Sequence, residues 1–218
     1  ASTWLLLLPP VLFLVHNRPE DIGLSPDGDD DATTQHKAAA IQGLTLREAL
    51  ATGTFWILAA GLLGLSMLVT SLHFFQVSIL TTQGLSETLA ARIFPISALV
   101  MIITIPLVGR SLDRFPTRWV FVFGLAVMVV SLLSAAAVHD LTTAMIYAVA
   151  FGLNNGCTMT FFGYMWPRYF GRKHLGAIQG TGQMIGVIGA SIGPLPLGIA
   201  FDLIGSYRET LILLAIYP

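Results

Sequence analysis

The sequence predicts an all-α membrane protein built as a bundle of membrane-spanning helices. Its mean hydropathy is +0.76 and 11% of its residues are charged, whereas about a quarter of the residues in a soluble domain are charged. Five long apolar stretches follow one another between Thr54 and Phe201. Each stretch is continuous, without the alternation of a barrel strand, and about 20 apolar residues are enough for one helix to cross a bilayer.

The chain begins and ends within apolar runs that are shorter than a span. The first run extends from Trp4 to Val15, and it lacks the charged start and cleavage site of a secretory signal peptide. We interpret residues 1–15 as the end of a transmembrane helix. Another apolar run opens at Thr210 and continues to Tyr217. Both runs predict that the sequence is part of a longer polytopic protein.

Residues 16–53 form the only long polar stretch. This stretch holds seven of the twelve acidic residues, and its Pro, Gly and Asp content predicts a linker without a core of its own. Near its end, Thr45 and Glu48 have the spacing of a helix capping box. A short helix that ends near Leu50 is therefore expected on the membrane surface.

The five spans are predicted over residues 54–80, 89–108, 119–138, 141–166 and 175–201. Short turn sequences separate them, at residues 83–84, 115–116, 139–140 and 171–174, and such short connections predict an antiparallel bundle. In the last span, Pro194 and Pro196 should kink or end the helix near its outer end. Glycines at spacings near four residues should allow close helix packing in this span; they are Gly182, Gly186, Gly189, Gly193 and Gly198.

Basic residues are distributed unevenly between the two sets of loops. Nine of the eleven fall on one side, namely Arg18, Lys37, Arg47, Arg110, Arg114, Arg118, Arg168, Arg172 and Lys173, and only Arg92 and Arg208 fall on the other. Cytoplasmic loops of membrane proteins carry an excess of Lys and Arg. This asymmetry predicts that residues 16–53 are cytoplasmic in a multi-pass protein of the cell membrane. The balanced net charge indicates no nucleic-acid partner.

A charged cluster lies between the second and third spans, and it contains Gly109, Asp113, Arg114 and Arg118. We expect Gly109 to let two helices approach closely, and Asp113 to accept hydrogen bonds from amides at the start of the next helix. Both arginines can pair with carboxylates on a neighbouring helix end. Such a cluster can hold one arrangement of helices and release another, as alternating access requires. The alternative interpretation is an ordinary basic turn.

The pattern Gly109-x-x-x-Asp113-Arg114-x-x-x-Arg118 resembles the loop motif of the major facilitator superfamily, in the copy between its eighth and ninth helices. Three further segments, at residues 18–28, 169–180 and 193–208, resemble the monocarboxylate and oxalate-type (oxalate:formate antiporter-like) branch, in the same order. The resemblance implies the C-terminal six-helix half of a twelve-helix fold, truncated at both ends. Residues 1–15 would end helix six, residues 16–53 would be the central linker, and residues 54–218 would contain helices seven to eleven and the start of twelve.

The resemblance implies a secondary active transporter that moves a small organic solute by alternating access. Carboxylates are one possible class of solute, and a coupling proton is an open question. The other implied partners are membrane lipid and the missing N-terminal half; neither enzymatic activity nor a cofactor is implied. Branch members that carry small carboxylates have an arginine where this chain has Ile105, which weakens the expectation of an anionic substrate. The alternative is a transport-inactive sensor or scaffold with the same fold.

Polar residues of the first complete span are candidates for the substrate pathway. Thr70, His73 and Gln76 are three residues apart and should share a helix face. His73 is the only ionisable residue deep in a complete span, and intramembrane ionisable groups are functional candidates by default. Its titration range would suit proton coupling. A neutral histidine bonded within the bundle is the alternative.

Further pathway candidates lie in the fourth and fifth spans. Asn154, Thr158 and Phe161 should fall on one helix face with Asn155 beside it, and Gln179 and Gln183 should share a face of the fifth span. The resemblance places helices seven and ten beside the central cavity, which favours the residues of the fourth span. Asn and Thr can equally serve as packing groups between helices.

Two features could suggest other chemistry. Ser191 lies in a Gly-x-Ser-x-Gly sequence, but the nucleophile elbow of hydrolases needs a strand-to-helix turn, and Ser191 is predicted inside an apolar helix. Cys157 is the single cysteine and lies within a span, where we predict a packing role. The sequence shows no zinc-binding spacing of Cys and His, and we expect no metal.

Overall fold

The computed structural model describes residues 43–216. Within that range the chain forms eight α-helices and one isolated antiparallel bridge between Gly43 and Gly171, and it contains no β-strand. The helices are α1 (Leu46–Leu50), α2 (Gly53–Thr82), α3 (Glu87–Arg114), α4 (Thr117–Ala136), α5 (Leu141–Phe170), α6 (Leu175–Ile192), α7 (Pro194–Ile204) and α8 (Arg208–Leu214). The predicted all-α class is confirmed. The predictions for residues 1–42 lie outside the described residues.

The capping box at the start of α1 forms as predicted. The Thr45 hydroxyl accepts from the Glu48 amide at 3.3 Å, and the Glu48 carboxylate accepts from the Thr45 amide at 2.8 Å. The hydrogen bonds from the Thr45 backbone and side chain hold the pKa of Glu48 below its usual range. The helix ends at Leu50, as the sequence predicts.

The second span differs from its prediction at its C-terminal end. Helix α3 continues past Val108 to Arg114, so Gly109 and Asp113 lie within a helix and not in a turn. The helix stops because Pro116 disfavours helical geometry in the residue before it. Phe115 accordingly adopts an extended conformation, with φ −113° and ψ 155°.

The last predicted span is divided into two helices, as its prolines predict. Helix α6 ends at Ile192, Gly193 follows, and α7 begins at Pro194. Proline has no amide hydrogen to donate in a helix interior, but it is well tolerated at a first helical position. The break therefore falls where the proline can begin a new helix.

Within residues 43–216, four stretches have the length and apolar composition of membrane spans. They are α2, α3, α4 and the continuous stretch of α6 and α7. Helix α5 also has 30 residues, and at about 1.5 Å per residue it is long enough to cross a bilayer core of about 30 Å. Asn154 and Asn155 lower its hydropathy, but both are buried. The amides of these two residues thus face the protein interior.

Glycines determine how closely the helices pack. Helix α5 packs most extensively against α3, and α2 packs against α6. A Cβ atom added at Gly152 or Gly156 of α5 would clash with Ser97 or Thr104 of α3. Four glycines from α6 to the start of α7 would clash in the same way if a Cβ atom were added: Gly182 with Trp166, Gly186 with Phe162, Gly189 with Leu63 and Gly193 with Met67. A Cβ atom at Gly198 would make only an ordinary contact with Phe75. The predicted packing role is confirmed for the first four of these glycines.

The α3–α4 and α5–α6 turns lie at the same end of the bundle, which we call the basic end. Six basic residues lie near these turns: Arg110, Arg114 and Arg118 near the first, and Arg168, Arg172 and Lys173 near the second. The chain before α1 is attached at this end. The Leu44 amide donates to the Phe170 carbonyl at 2.9 Å. The ring of Phe55, at the start of α2, packs against Trp166 with centroids 5.3 Å apart.

Candidate functional site

Two cavities border the contact between α2 and α5. The His73 cavity has a volume of about 330 Å³ and lies between α2, α3 and α5; it is lined by His73, Phe94, Pro95, Ser97, Ala98, Met101, Phe151 and Asn155. The Thr70 cavity has a volume of about 150 Å³ and lies between α2, α5 and α6; it is lined by Ser66, Val69, Thr70, Thr158, Met159, Phe162, Gln183, Gly186, Val187 and Ala190.

His73 is held by its own helix and by an aromatic ring of α5. Its Nδ1 atom lies 3.2 Å from the Val69 carbonyl. A carbonyl oxygen only accepts, so this bond requires a proton on Nδ1. The imidazole ring packs on Phe151 with centroids 4.6 Å apart. In the neutral form, Nε2 is then an acceptor that can receive a hydrogen bond or a proton.

The polar side chains of α5 are oriented by bonds to the preceding helical turn. Asn155 donates through Nδ2 to the Phe151 carbonyl at 2.8 Å, and Thr158 donates to the Asn154 carbonyl at 2.9 Å. Ser97 of α3 donates to the Ala148 carbonyl at 3.0 Å and so links α3 to α5. These bonds leave the Asn155 Oδ1 atom and the hydroxyl lone pairs available to accept hydrogen bonds.

The three substrate-pathway candidates of α2 lie in three different environments. Thr70 lines one cavity and His73 lines the other. Gln76 is fully buried, and neither of its amide atoms has a hydrogen-bond partner among residues 43–216. A helix turns by about 100° per residue, so two steps of three residues rotate a side chain by about 120°. This rotation carries Gln76 away from the face of Thr70 and into the bundle.

The substrate-pathway candidates of α5 and α6 also lie in different environments. Asn155 lines the His73 cavity, and Thr158 and Gln183 line the Thr70 cavity. Asn154 is fully buried, and its amide has no hydrogen-bond partner in the part of the chain that the structure describes. Gln179 is half-buried on α6 and is not part of either lining. The structure therefore groups His73 with Asn155, and Thr70 with Thr158 and Gln183.

Several cavity residues were not predicted from the sequence. Ser97 and Met101 bring α3 into the lining of the His73 cavity, and the pair Gly152 and Gly156 brings α3 close enough to do so. The spacing of these two glycines was a usable signal, because small residues four apart mark close helix contacts. Ser97 gave no such signal, since a single serine in an apolar helix has no distinctive pattern.

One expectation for the charged cluster, the capping role of Asp113, is wrong, and the packing role of Gly109 finds no support among the described residues. A Cβ atom at Gly109 would meet nothing within 4 Å, so within the described residues this glycine does not permit a close helix approach. Helix α4 has Pro116 as its N-cap and no side-chain capping bond. Asp113 does not cap α4, because α3 continues past it and holds the carboxylate on its own surface. The Arg118 guanidinium lies over the Trp119 ring, 5.7 Å from its centroid.

The features that could suggest other chemistry have structural explanations. Ser191 lies within α6 and donates to the Val187 carbonyl at 2.9 Å, which is not the strand-to-helix geometry of a hydrolase nucleophile. Cys157 is buried in α5. Within residues 43–216, no group of three or more His, Cys, Asp or Glu side chains could hold a metal ion.

The comparison with known families agrees with this architecture. Residues 59–217 match the profile of the Major Facilitator Superfamily, a region that runs from within α2 to beyond α8 and covers well over half of the chain. A search of curated proteins finds no match. The match leaves out α1 and the first residues of α2 and covers the rest of the helical bundle, and apolar helices of membrane-spanning length fill the matched region. The chain is therefore an integral membrane protein that belongs to the Major Facilitator Superfamily, a family of membrane transporters.

Proposed function

We propose that the protein is a secondary active transporter that moves a small organic solute by alternating access. The observation that carries this proposal is the His73 cavity, which is lined by both an ionisable imidazole of α2 and the amide of Asn155 of α5. Ionisable groups inside a membrane domain commonly mark substrate or proton pathways. Substrate sites of secondary transporters lie near the bilayer midplane, and both residues lie well inside their helices.

The linings of the two cavities favour an uncharged solute. Among the described residues that form them, none is Asp, Glu, Lys or Arg. Asn155, Thr158 and Gln183 can exchange hydrogen bonds with a polar solute, and Phe151 offers an apolar surface. We propose that a carboxylate, the class suggested by the resemblance to the oxalate and monocarboxylate branch, would bind only with a proton on His73. Ile105 supplies no replacement cation.

The remaining parts of the carrier follow from the same proposal. The N-terminal half of the same protein would supply the other half of the cavity wall, with the two halves rocking about the solute. The basic end would face the cytoplasm of the cell, since cytoplasmic loops carry the excess of Arg and Lys. The gating cluster would lie there, at the end of α3 and the start of α4, and act through contacts that change between the two arrangements; it consists of Gly109, Asp113, Arg114 and Arg118.

The test is solute flux through the full-length protein in liposomes, with and without a proton gradient. A panel of small neutral compounds and small carboxylates should include at least one that accumulates. Asn155→Ala should lower its flux about 5- to 100-fold, because hydrogen bonds to a bound solute are worth about 1–3 kcal/mol. His73→Gln should remove the effect of the proton gradient.

Ser191→Ala is the matched control, since Ser191 is exposed on α6 and bonded only to its own helix. This variant should keep the flux of the unmodified protein. A folded protein that moves none of the compounds would contradict the proposal and favour the sensor or scaffold. Equal losses in the Asn155 variant and the Ser191 control would show that the His73 cavity is not the pathway.

A further inference from the structure

A third cavity lies at the basic end, between the last turns of α3 and the first turns of α4. Its volume is about 360 Å³, and its lining is mainly apolar, with Val108 and Ser111 from α3 and Val120 and Phe123 from α4. The aromatic side chains of Phe115 and Trp119 also line it, and they are 61% and 62% exposed. A groove of this kind on a membrane-spanning bundle faces the surrounding bilayer or another protein surface.

The surroundings of this groove are strongly basic. Arg110, Arg114 and Arg118 are exposed at the same end of the two helices, and Asp113 is the one carboxylate between residues 105 and 123. Arg114 lies one helical turn beyond Ser111, and Arg118 lies over the ring of Trp119. Two of the three arginines thus directly adjoin residues that line the groove.

We propose that this groove binds an anionic phospholipid of the adjoining leaflet. The phosphate lies between Arg114 and Arg118, and the upper part of an acyl chain packs on Val108, Val120 and Phe123. Charge complementarity selects an anionic headgroup, because basic pockets between transmembrane helices attract anionic lipids. The apolar lining selects a lipid over free phosphate, which would leave that surface uncovered. This inference rests on the membrane location of the chain and not on its transport activity.

Trp119 provides a direct probe, because it lines the groove and is exposed. The full-length protein is reconstituted in phosphatidylcholine vesicles that contain phosphatidylglycerol, with bromine atoms on the acyl chains of one lipid or of the other. Bromine quenches tryptophan fluorescence only at short range, and subtraction of the signal of Trp119→Phe isolates Trp119. The ratio of the two quenching signals, corrected for lipid composition, measures the preference for anionic lipid at the groove.

We expect brominated phosphatidylglycerol to quench Trp119 more strongly than brominated phosphatidylcholine. Arg114→Gln and Arg118→Gln should each reduce this preference about fivefold, since a basic residue near a membrane surface contributes about 1 kcal/mol toward anionic lipid. Arg92→Gln is the matched control, because Arg92 is an exposed arginine near the opposite end of α3. It should leave the preference unchanged.

Three outcomes would overturn the proposal. Equal quenching by both lipids would show no selection of the anionic headgroup, and an equal loss in the Arg92 variant would show a general charge effect. The absence of Trp119 quenching by either lipid would assign the groove to a protein surface, from a second copy or from the rest of the carrier.

If the arginine variants fail to fold, a salt series on the unmodified protein replaces them. A preference that added salt does not weaken would then exclude a role for the arginines.

Discussion

Two fully buried amides stand out at the residue scale. Gln76 and Asn154 are 0% exposed, and neither side chain has a hydrogen-bond partner among the described residues. A buried polar group without a partner costs about 1–3 kcal/mol, so each amide lowers the stability of the bundle unless it binds something. Asn155, the neighbour of Asn154, lies in the His73 cavity. Asn155 is therefore available to a solute, whereas its neighbour Asn154 is enclosed by the bundle.

The position of Gln76 leads to a prediction that separates stability from transport. Gln76→Met keeps the length of the side chain and removes the amide, so we expect it to increase the free energy of unfolding by about 1 kcal/mol and to preserve solute flux. Thermal unfolding in detergent and flux in liposomes measure the two effects. A variant that is stable but has lost flux would contradict the structural interpretation and return Gln76 to the pathway.

The contact between α5 and α6 is the most informative feature at the element scale. Gly182 of α6 lies directly against the buried ring of Trp166, and Gly186 lies against the ring of Phe162. Two residues before Gly182, the backbone of Gly180 meets no atom within 4 Å of where a Cβ would be. On the same helix, Gly182 thus lies in a crowded interface and Gly180 in open space.

These two positions form a matched pair of variants. Gly182→Ala should lower the free energy of unfolding by about 1–3 kcal/mol, because an added methyl group in a tightly packed interface displaces its neighbours. Gly180→Ala should raise it, since alanine is favoured over glycine in a helix by about 1 kcal/mol. Chemical unfolding followed by circular dichroism provides the comparison. Similar stability in both variants would show that Trp166 does not occupy the position described.

Element boundaries also show what a pattern of residues can predict. The capping box of Thr45 and Glu48 located α1 correctly, because capping depends on residues close in sequence. The break at Pro194 was predictable for the same reason. The end of α3 was not, since the charged residues 110–114 look like a loop in a membrane protein but continue the helix to Arg114. These charged residues mark the edge of the bilayer and not the end of the helix.

At the scale of the whole molecule, the chain before α1 is joined to the turn between α5 and α6. The Leu44 amide bonds to the Phe170 carbonyl, and Gly43 pairs with Gly171. A Cβ atom at Gly43 would lie 3.0 Å from the Lys173 amide nitrogen and 3.1 Å from the Phe170 oxygen. Gly43 and Leu44 are therefore held against the basic end of α5.

We expect Gly43→Ala to weaken this attachment, because the added methyl group forces the two backbones apart. Hydrogen exchange of the Leu44 amide should accelerate about tenfold, which corresponds to about 1.4 kcal/mol within the usual range for overpacking. Gly53→Ala is the control, as a Cβ atom at Gly53 meets nothing within 4 Å. Unchanged exchange at Leu44 in the Gly43 variant would contradict a close contact with the α5–α6 turn.

Composition and residues close together along the chain are enough to predict the helical class, the approximate spans, the capped and proline-broken helix ends and the family resemblance. Which polar residues line the same cavity depends instead on how the helices pack. This packing divided Thr70, His73 and Gln76 among two cavities and the interior, and it brought Ser97 of α3 beside α5 through Gly152 and Gly156. The physical reason is that a small rotation of a packed helix moves a side chain from a cavity into the core, and that rotation is set by neighbouring helices that are distant in the sequence.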